Sequence, residues 1–111
     1  MQTSSEMIDD VLLVSLEGKI TGNNSSDLEK SLKAQVDQGR LKIVLDFAAV
    51  EYISSAGLRV VLWLAKQLKG KNGGLSLCRV SQGVMDIFKM CGFVDFLSIF
   101  DSREAALENL K

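Results

Sequence analysis

Ser54 and Ser55 are the residues of this chain best placed to do chemistry. They stand in the stretch DFAAVEYISSAGL, Asp46 to Leu58, between an apolar run that ends at Phe47 and a helical period that begins at Leu58. In alternating α/β chains, ligand and regulatory sites collect at the carboxyl ends of strands. A helix start adds unpaired N–H groups and a partial positive charge, which together tolerate a phosphate well. A serine hydroxyl there has two uses. It can cap the helix by accepting a bond from a first-turn N–H, or it can stay free for modification. Ser54 and Ser55 each suit either use.

Other chemistries find little support. The stretch lacks the glycine spacing and the lysine of a nucleotide-binding P-loop. The chain has no histidine, which removes the commonest general base and metal ligand. The carboxylates of Asp46 and Glu51 form a candidate pair, but no further acid, base or ligand group converges on them. Asp46 reads instead as an acceptor for the loop that presents Ser55. Cys78 and Cys91 match no metal or redox spacing. Both lie in apolar surroundings and read as buried small hydrophobes, and Met85, Phe88 and Met90 read as core or groove lining. No catalytic residue, metal or cofactor is expected.

The helix that follows the serines offers a second candidate surface. On a wheel of about 100° per residue, Leu58, Val61, Leu62, Ala65, Leu68 and Lys69 share one side, with Leu64 near its edge. The opposite side carries Arg59, Val60, Trp63, Lys66 and Gln67. Val60 with Trp63 is an unusual pair for a solvated face, and Trp and Arg are frequent in binding hot spots. Arg59, Val60 and Trp63 are therefore candidate partner contacts beside Ser54 and Ser55, unless a neighbouring element covers them.

The elements that must position these residues alternate. Val11–Leu16 reads as a strand stopping at Gly18, with a shorter strand before it near Glu6–Ile8. Ser26-Asp27-Leu28-Glu29 fits a capping box, and Leu28, Leu32 and Val36 continue it as one helical stripe. Leu41–Phe47 is a strand whose continuous apolar run, Ile43–Leu45, suits cover on both faces. Ala48–Ile53 reads as a loop, and Leu58–Lys69 as a helix. Leu75–Val80 is a strand, Ser81–Cys91 a helix, Phe96–Phe100 a short strand, and a last helix opens at Asp101. Alternation of this kind predicts an α/β fold of parallel strands joined by right-handed crossovers.

The 111 residues suit one domain spanning residues 1–111. A net charge of −1 with both signs interspersed provides no basic patch for nucleic acid. The longest apolar run, Val60–Ala65, is far too short to span a membrane. The N-terminus does not read as a signal peptide, so a cytoplasmic protein is expected.

The stretch at Asp46–Leu58 also carries a family resemblance. A strand ending in Asp, a short loop with a hydrophobic residue, and Asp/Ser-Ser-Ser/Thr/Ala-Gly-Leu at a helix head resemble STAS domains and the bacterial anti-sigma-factor antagonists. The matching residues are Asp46, Phe47, Val50, Ile53, Ser54, Ser55, Ala56, Gly57 and Leu58. The likeness extends through Leu16–Ile20, the Val84-Ile87-Phe88 helix and Glu104–Leu107. It implies a small mixed, mostly parallel sheet of four to five strands with about four helices. It implies that Ser55, two residues before Gly57, is the phosphoacceptor, with Asp46, Ala56 and Gly57 as support. Ser54 stands where well-known members carry Asp, so a second hydroxyl is in reach. The implied partners are an ATP-dependent serine kinase that doubles as an anti-sigma factor, and a metal-dependent phosphatase. The unphosphorylated form would bind the kinase and release the sigma factor, and phosphorylation would end that binding. The alternative within the family is a subunit without a phosphorylation cycle, attached to a transporter or a larger signalling assembly.

Overall fold

A five-stranded sheet with the strands in chain order organises the computed structural model, which describes residues 1–110. The elements are β1 (Gln2–Ile8), β2 (Val11–Ile20), α1 (Ser25–Asp37), β3 (Lys42–Ile53), α2 (Ser55–Gly70), β4 (Gly74–Cys78), α3 (Gln82–Met90), a 3-10 turn (Val94–Phe96), β5 (Ile99–Phe100) and α4 (Arg103–Asn109). Strands β2 to β5 run parallel, and β1 pairs antiparallel with β2 through a tight turn in which Asp9 takes a φ of 56°. Sequential strand order with one crossover hand places successive crossover helices on one face of a sheet. Helices α1, α2 and α3 accordingly share one core with Leu12, Leu16, Ile43, Leu45 and Phe47. Helix α4 closes the other face over Val11, Leu13, Val44 and Cys78. Neighbouring residues of a strand point to opposite faces, so this double cover is why Ile43-Val44-Leu45 is apolar without interruption.

Several boundaries depart from the sequence reading, each for a local reason. Strand β1 is seven residues long, not three, because its exposed polar residues, Gln2 to Glu6, pair by backbone alone. Strand β2 does not stop at Gly18. That glycine takes a φ of 98°, and the register with β3 slips between Gly18 and Lys19, so the strand passes through a bulge to Ile20. The predicted loop Ala48–Ile53 is the second half of β3, paired to the prolonged β2. Helix α1 begins one residue before the expected cap. Asn24 occupies the cap position, but its side chain turns back, accepting from Thr21 N at 2.8 Å and donating to Lys19 O at 2.9 Å. Leu28, Leu32 and Val36 are buried as the stripe requires.

The two cysteines differ. Cys78 is fully buried, whereas Cys91 is exposed at the end of α3, contrary to the expectation for both. It caps the C-terminus of α3, three residues beyond Phe88, the last buried residue of that helix. Met90, read as core or lining, is likewise 86% exposed. Burial, helped by the negative charge of Asp46, pushes the Cys78 thiol up to about 11, so it stays protonated and unreactive. At mildly alkaline pH a chromogenic disulfide reagent should titrate Cys91 quickly in the native protein and Cys78 only after denaturation. Two fast thiols would show that the β4 end is open.

Candidate functional site

The site is built where β2 and β3 end together. Ile20 pairs with Ile53, and both are fully buried. The next residue, Ser54, donates its backbone N–H to Ile20 O at 2.8 Å, which ties the start of α2 to the end of β2. Ser54 is the helix cap, with its Oγ accepting from Gly57 N at 3.1 Å and its carbonyl accepting from Leu58 N at 2.9 Å. Ser55, the first residue of the helix, is exposed, and among the described residues its hydroxyl has no partner. The two uses left open by the sequence are thus divided. Ser54 is occupied by capping, and Ser55 faces water at the positive end of a 16-residue helix.

Gly57 sets how closely that helix sits on the strand ends. A Cβ there would lie 2.6 Å from Ile20 Cγ2 and 2.8 Å from Ile53 Cγ1. Both distances are below what packed carbon atoms tolerate, so any side chain at this position pushes α2 off its seat. Gly57→Val is expected to lower stability by about 2–3 kcal/mol, an overpacking cost that exceeds the gain in helix propensity. Urea unfolding at an unchanged m value checks this, and an unchanged midpoint would show that the isoleucines move aside freely.

The stripe on α2 requires a correction. The buried arc is centred on Val61, Leu64 and Leu68 and includes Val60, which is only 6% exposed. The expected wheel placed Val60 on the open side because it allowed for the sheet alone. Helix α1 packs beside α2 in the same core, and the buried arc of α2 is wide enough to include Val60. Val60 is therefore not a surface contact. Arg59 is exposed, and Trp63 is half-buried with part of its ring against the core. Lys69, assigned to the core side, is exposed. The open face of α2 carries Ser55, Arg59, Trp63 and Lys66, successive pairs four residues apart or closer, so they form one line along the helix.

Asp46 is not beside Ser55. Its side chain points to the α4 face of the sheet, whereas α2 covers the other. Seven residues of strand, at about 3.3 Å each, separate it from the end of β3. Its carboxylate is buried and takes four donors. Ala48 N donates to Oδ1 at 3.0 Å, Arg79 donates from Nε to Oδ1 at 3.1 Å and from Nη2 to Oδ2, and Arg103 Nε donates to Oδ2 at 2.6 Å. Arg103 Nη2 also donates to Ser15 Oγ at 3.3 Å. This knot joins β2, β3, the end of β4 and the start of α4. Arg79 adopts a φ of 54°, unusual for a residue with a side chain, to reach it. Nothing in the local sequence marks Arg79, Arg103 or Ser15 as members of this knot. A lone arginine after an apolar strand carries no local signal of the acid it will meet.

Burial pushes the Asp46 carboxyl up. The hydrogen bond from Arg79, the Ala48 N–H and Arg103 outweigh it and hold the group below its ordinary value. A depressed carboxylate contributes stability above its unfolded pKa, about 3.9, and loses it as pH falls through the folded value. Asp46→Asn is expected to cost about 2 kcal/mol at neutral pH, less than a fully buried pair because both guanidiniums can rehydrate. The deficit should shrink below about pH 3.9. Chemical denaturation of both proteins across that range checks it, and a deficit independent of pH would show that charge is not involved.

Glu51 is exposed, and no cluster of metal-ligating side chains occurs among the described residues. No helix among them is long and apolar enough to cross a membrane.

With this geometry in place, comparison with known proteins assigns the family. The STAS domain family matches residues 2–106. The chain belongs to the STAS domain family. A Bordetella bronchiseptica protein, BtrV, named as an anti-sigma factor antagonist, is 42% identical over all of this chain and 96% of its own length. A Thermotoga maritima structure described as an anti-sigma factor antagonist matches with a TM-score of 0.92 at 21% identity, covering 97% of this chain and 93% of its own. SpoIIAA of Bacillus matches at 18% identity, with TM-scores of 0.75 in its unphosphorylated form and 0.74 in its phosphorylated form. In each case 97% of this chain is covered, with 96% and 98% of SpoIIAA. The STAS fold expected from the sequence, a small mixed sheet with four helices, is the fold observed.

Proposed function

We propose that this STAS domain is an anti-sigma-factor antagonist switched by phosphorylation of Ser55. Unphosphorylated, it binds an anti-sigma factor that is also an ATP-dependent serine kinase, and the sigma factor is released. The kinase then phosphorylates Ser55 and loses its hold, and a metal-dependent phosphatase restores the first state. The ATP is the partner's, and the chain itself is no enzyme. The cycle would run in the cytoplasm. The observation that carries this reading is the division of labour between the two serines, since Ser54 is bound into the cap and Ser55 is exposed and unpartnered. The full-length likeness to BtrV supports the class of partner.

The physical consequences follow from position. Phosphorylation adds about −1.5 to −2 charges at neutral pH. On the first residue of α2, the new group meets a helix N-terminus and lies one turn before Arg59, which is exposed and forms no ion pair among the described residues. A phosphate at Ser55 and a guanidinium at position 59 are helix-surface neighbours. The modification is thus stabilised within the domain, and the fold is kept. The partner meets the opposite situation. A doubly charged group buried in a protein interface costs desolvation, and Arg59, a binding residue together with Trp63, is drawn toward the phosphate. SpoIIAA, which exists with this fold in both forms, fits that separation of fold from switch.

Calorimetric titration with the cognate anti-sigma factor tests the proposal. Ser55→Ala should bind as tightly as the wild type, and Ser55→Glu at least about tenfold more weakly, with melting temperatures unchanged. Ser54→Ala should bind but lose about 1 kcal/mol of stability with its cap. Equal binding by Ser55→Glu would remove the switch and favour a constitutive STAS subunit.

A further inference from the structure

A second surface lies at the far end of α2. Leu62, Ala65, Lys66 and Lys69 form one wall of an open groove of about 470 Å³, and Phe93 and Phe96 from the segment after α3 form the other. A second depression of about 400 Å³ adjoins it, sharing Ala65, Lys69 and Phe96 and floored by Leu75 and Leu97. Phe96 stands between them with 74% of its surface in water. A phenylalanine so exposed forgoes most of the burial that stabilises apolar side chains, and it sits in the 3-10 turn rather than among the packed strands.

The rim charges indicate what the groove accepts. Lys66 and Lys69 are exposed, lie one helical turn apart, and form no ion pair among the described residues. Long cations beside an apolar trough suit a helix that lays an apolar ridge into the groove and places carboxylates along its flank. The concavity argues against a lipid surface, because Leu62 and Phe93 belong to the two walls of a groove rather than to a protruding patch. We propose that this groove docks an acidic amphipathic helix of a protein partner, and that it does so whether or not Ser55 is phosphorylated. Lys66 lies eleven residues along α2 from Ser55, about 16 Å at the helical rise. That exceeds the screening length of roughly 8 Å at physiological salt, so the charge on Ser55 is not felt at the groove. The proposal concerns a surface separate from the switch and does not depend on the phosphorylation reading.

Selection of a random 16-residue peptide library on the native domain, with counter-selection on Phe96→Ser, tests it. Recovered peptides should carry apolar residues at three- and four-residue spacing with Asp or Glu between them. Their amide shift perturbations should fall on residues 62–69 and 93–97. Affinity should fall at least about tenfold in Phe96→Ser and in the double variant Lys66→Glu/Lys69→Glu, and stay within about twofold in Ser55→Glu. The melting temperature of Phe96→Ser should match the wild type, since the ring is exposed. No enrichment, enrichment indifferent to Phe96, or a large effect of Ser55→Glu would overturn the proposal. So would wild-type dimers that dissociate in Phe96→Ser, which would assign the groove to a second copy. Flotation of the domain with anionic vesicles, lost in Phe96→Ser, would assign it to membranes and equally overturn the proposal.

Discussion

The close seating of α2 on the paired ends of β2 and β3 is the constraint on which the rest of the molecule's design depends. Ile20 and Ile53 are buried side by side, and Gly57 alone among residue types leaves room for both. Because the helix starts against them, the Ser54 N–H reaches Ile20 O and the Ser54 hydroxyl is committed to Gly57 N. The next residue can then only point outward. A side chain at position 57 or a shift in the β2–β3 register would move the cap, and the exposed hydroxyl would lose its fixed place at the positive end of the helix.

The other face of the sheet is secured differently. There, one buried carboxylate takes four donors from three separate segments, and it adds an ionic tie between α4 and the strands to the apolar packing of Ala106 and Leu110 on Val11, Leu13, Val44 and Cys78. Asp46 therefore serves the frame and not the site. The division has a functional merit. A charge added at Ser55 would be set against a helix N-terminus and Arg59, on the opposite face of the sheet from the ionic knot, so the proposed switch and the stabilising charges would not compete.

Much of the fold is legible in the sequence because the signals are periodic. The three-helix face follows from Leu28, Leu32 and Val36, from the α2 repeat and from Val84 and Phe88, and the doubly covered strand follows from Ile43-Val44-Leu45. The pattern fails where cover or register depends on distant segments. Ala48 to Ile53 has no clean alternation because the β2–β3 ladder slips at two bulges. Val60 is buried in the core that α2 shares with α1, twenty-odd residues away in sequence. Cys91 lies beyond the edge of the cover it was expected to have. In the site, the serine pair and Gly57 are visible as a motif, and the family resemblance points to Ser55 as the acceptor, but the residues by themselves do not say which serine caps the helix. The cap geometry supplies that division, because the Ser54 hydroxyl accepts from Gly57 N. Asp46 is visible too, yet its partners, Arg79 and Arg103, are separated from it by 33 and 57 residues and leave no local trace.

The central claim is that Ser55, not Ser54, is the hydroxyl that receives phosphate. Incubation of the wild-type domain with ATP and the proposed anti-sigma-factor kinase, followed by tandem mass spectrometry of the peptide spanning the two serines, measures this directly. The structure-based account predicts a single phosphate on Ser55. Phosphate on Ser54, or on neither serine while the kinase is active and bound, would contradict it.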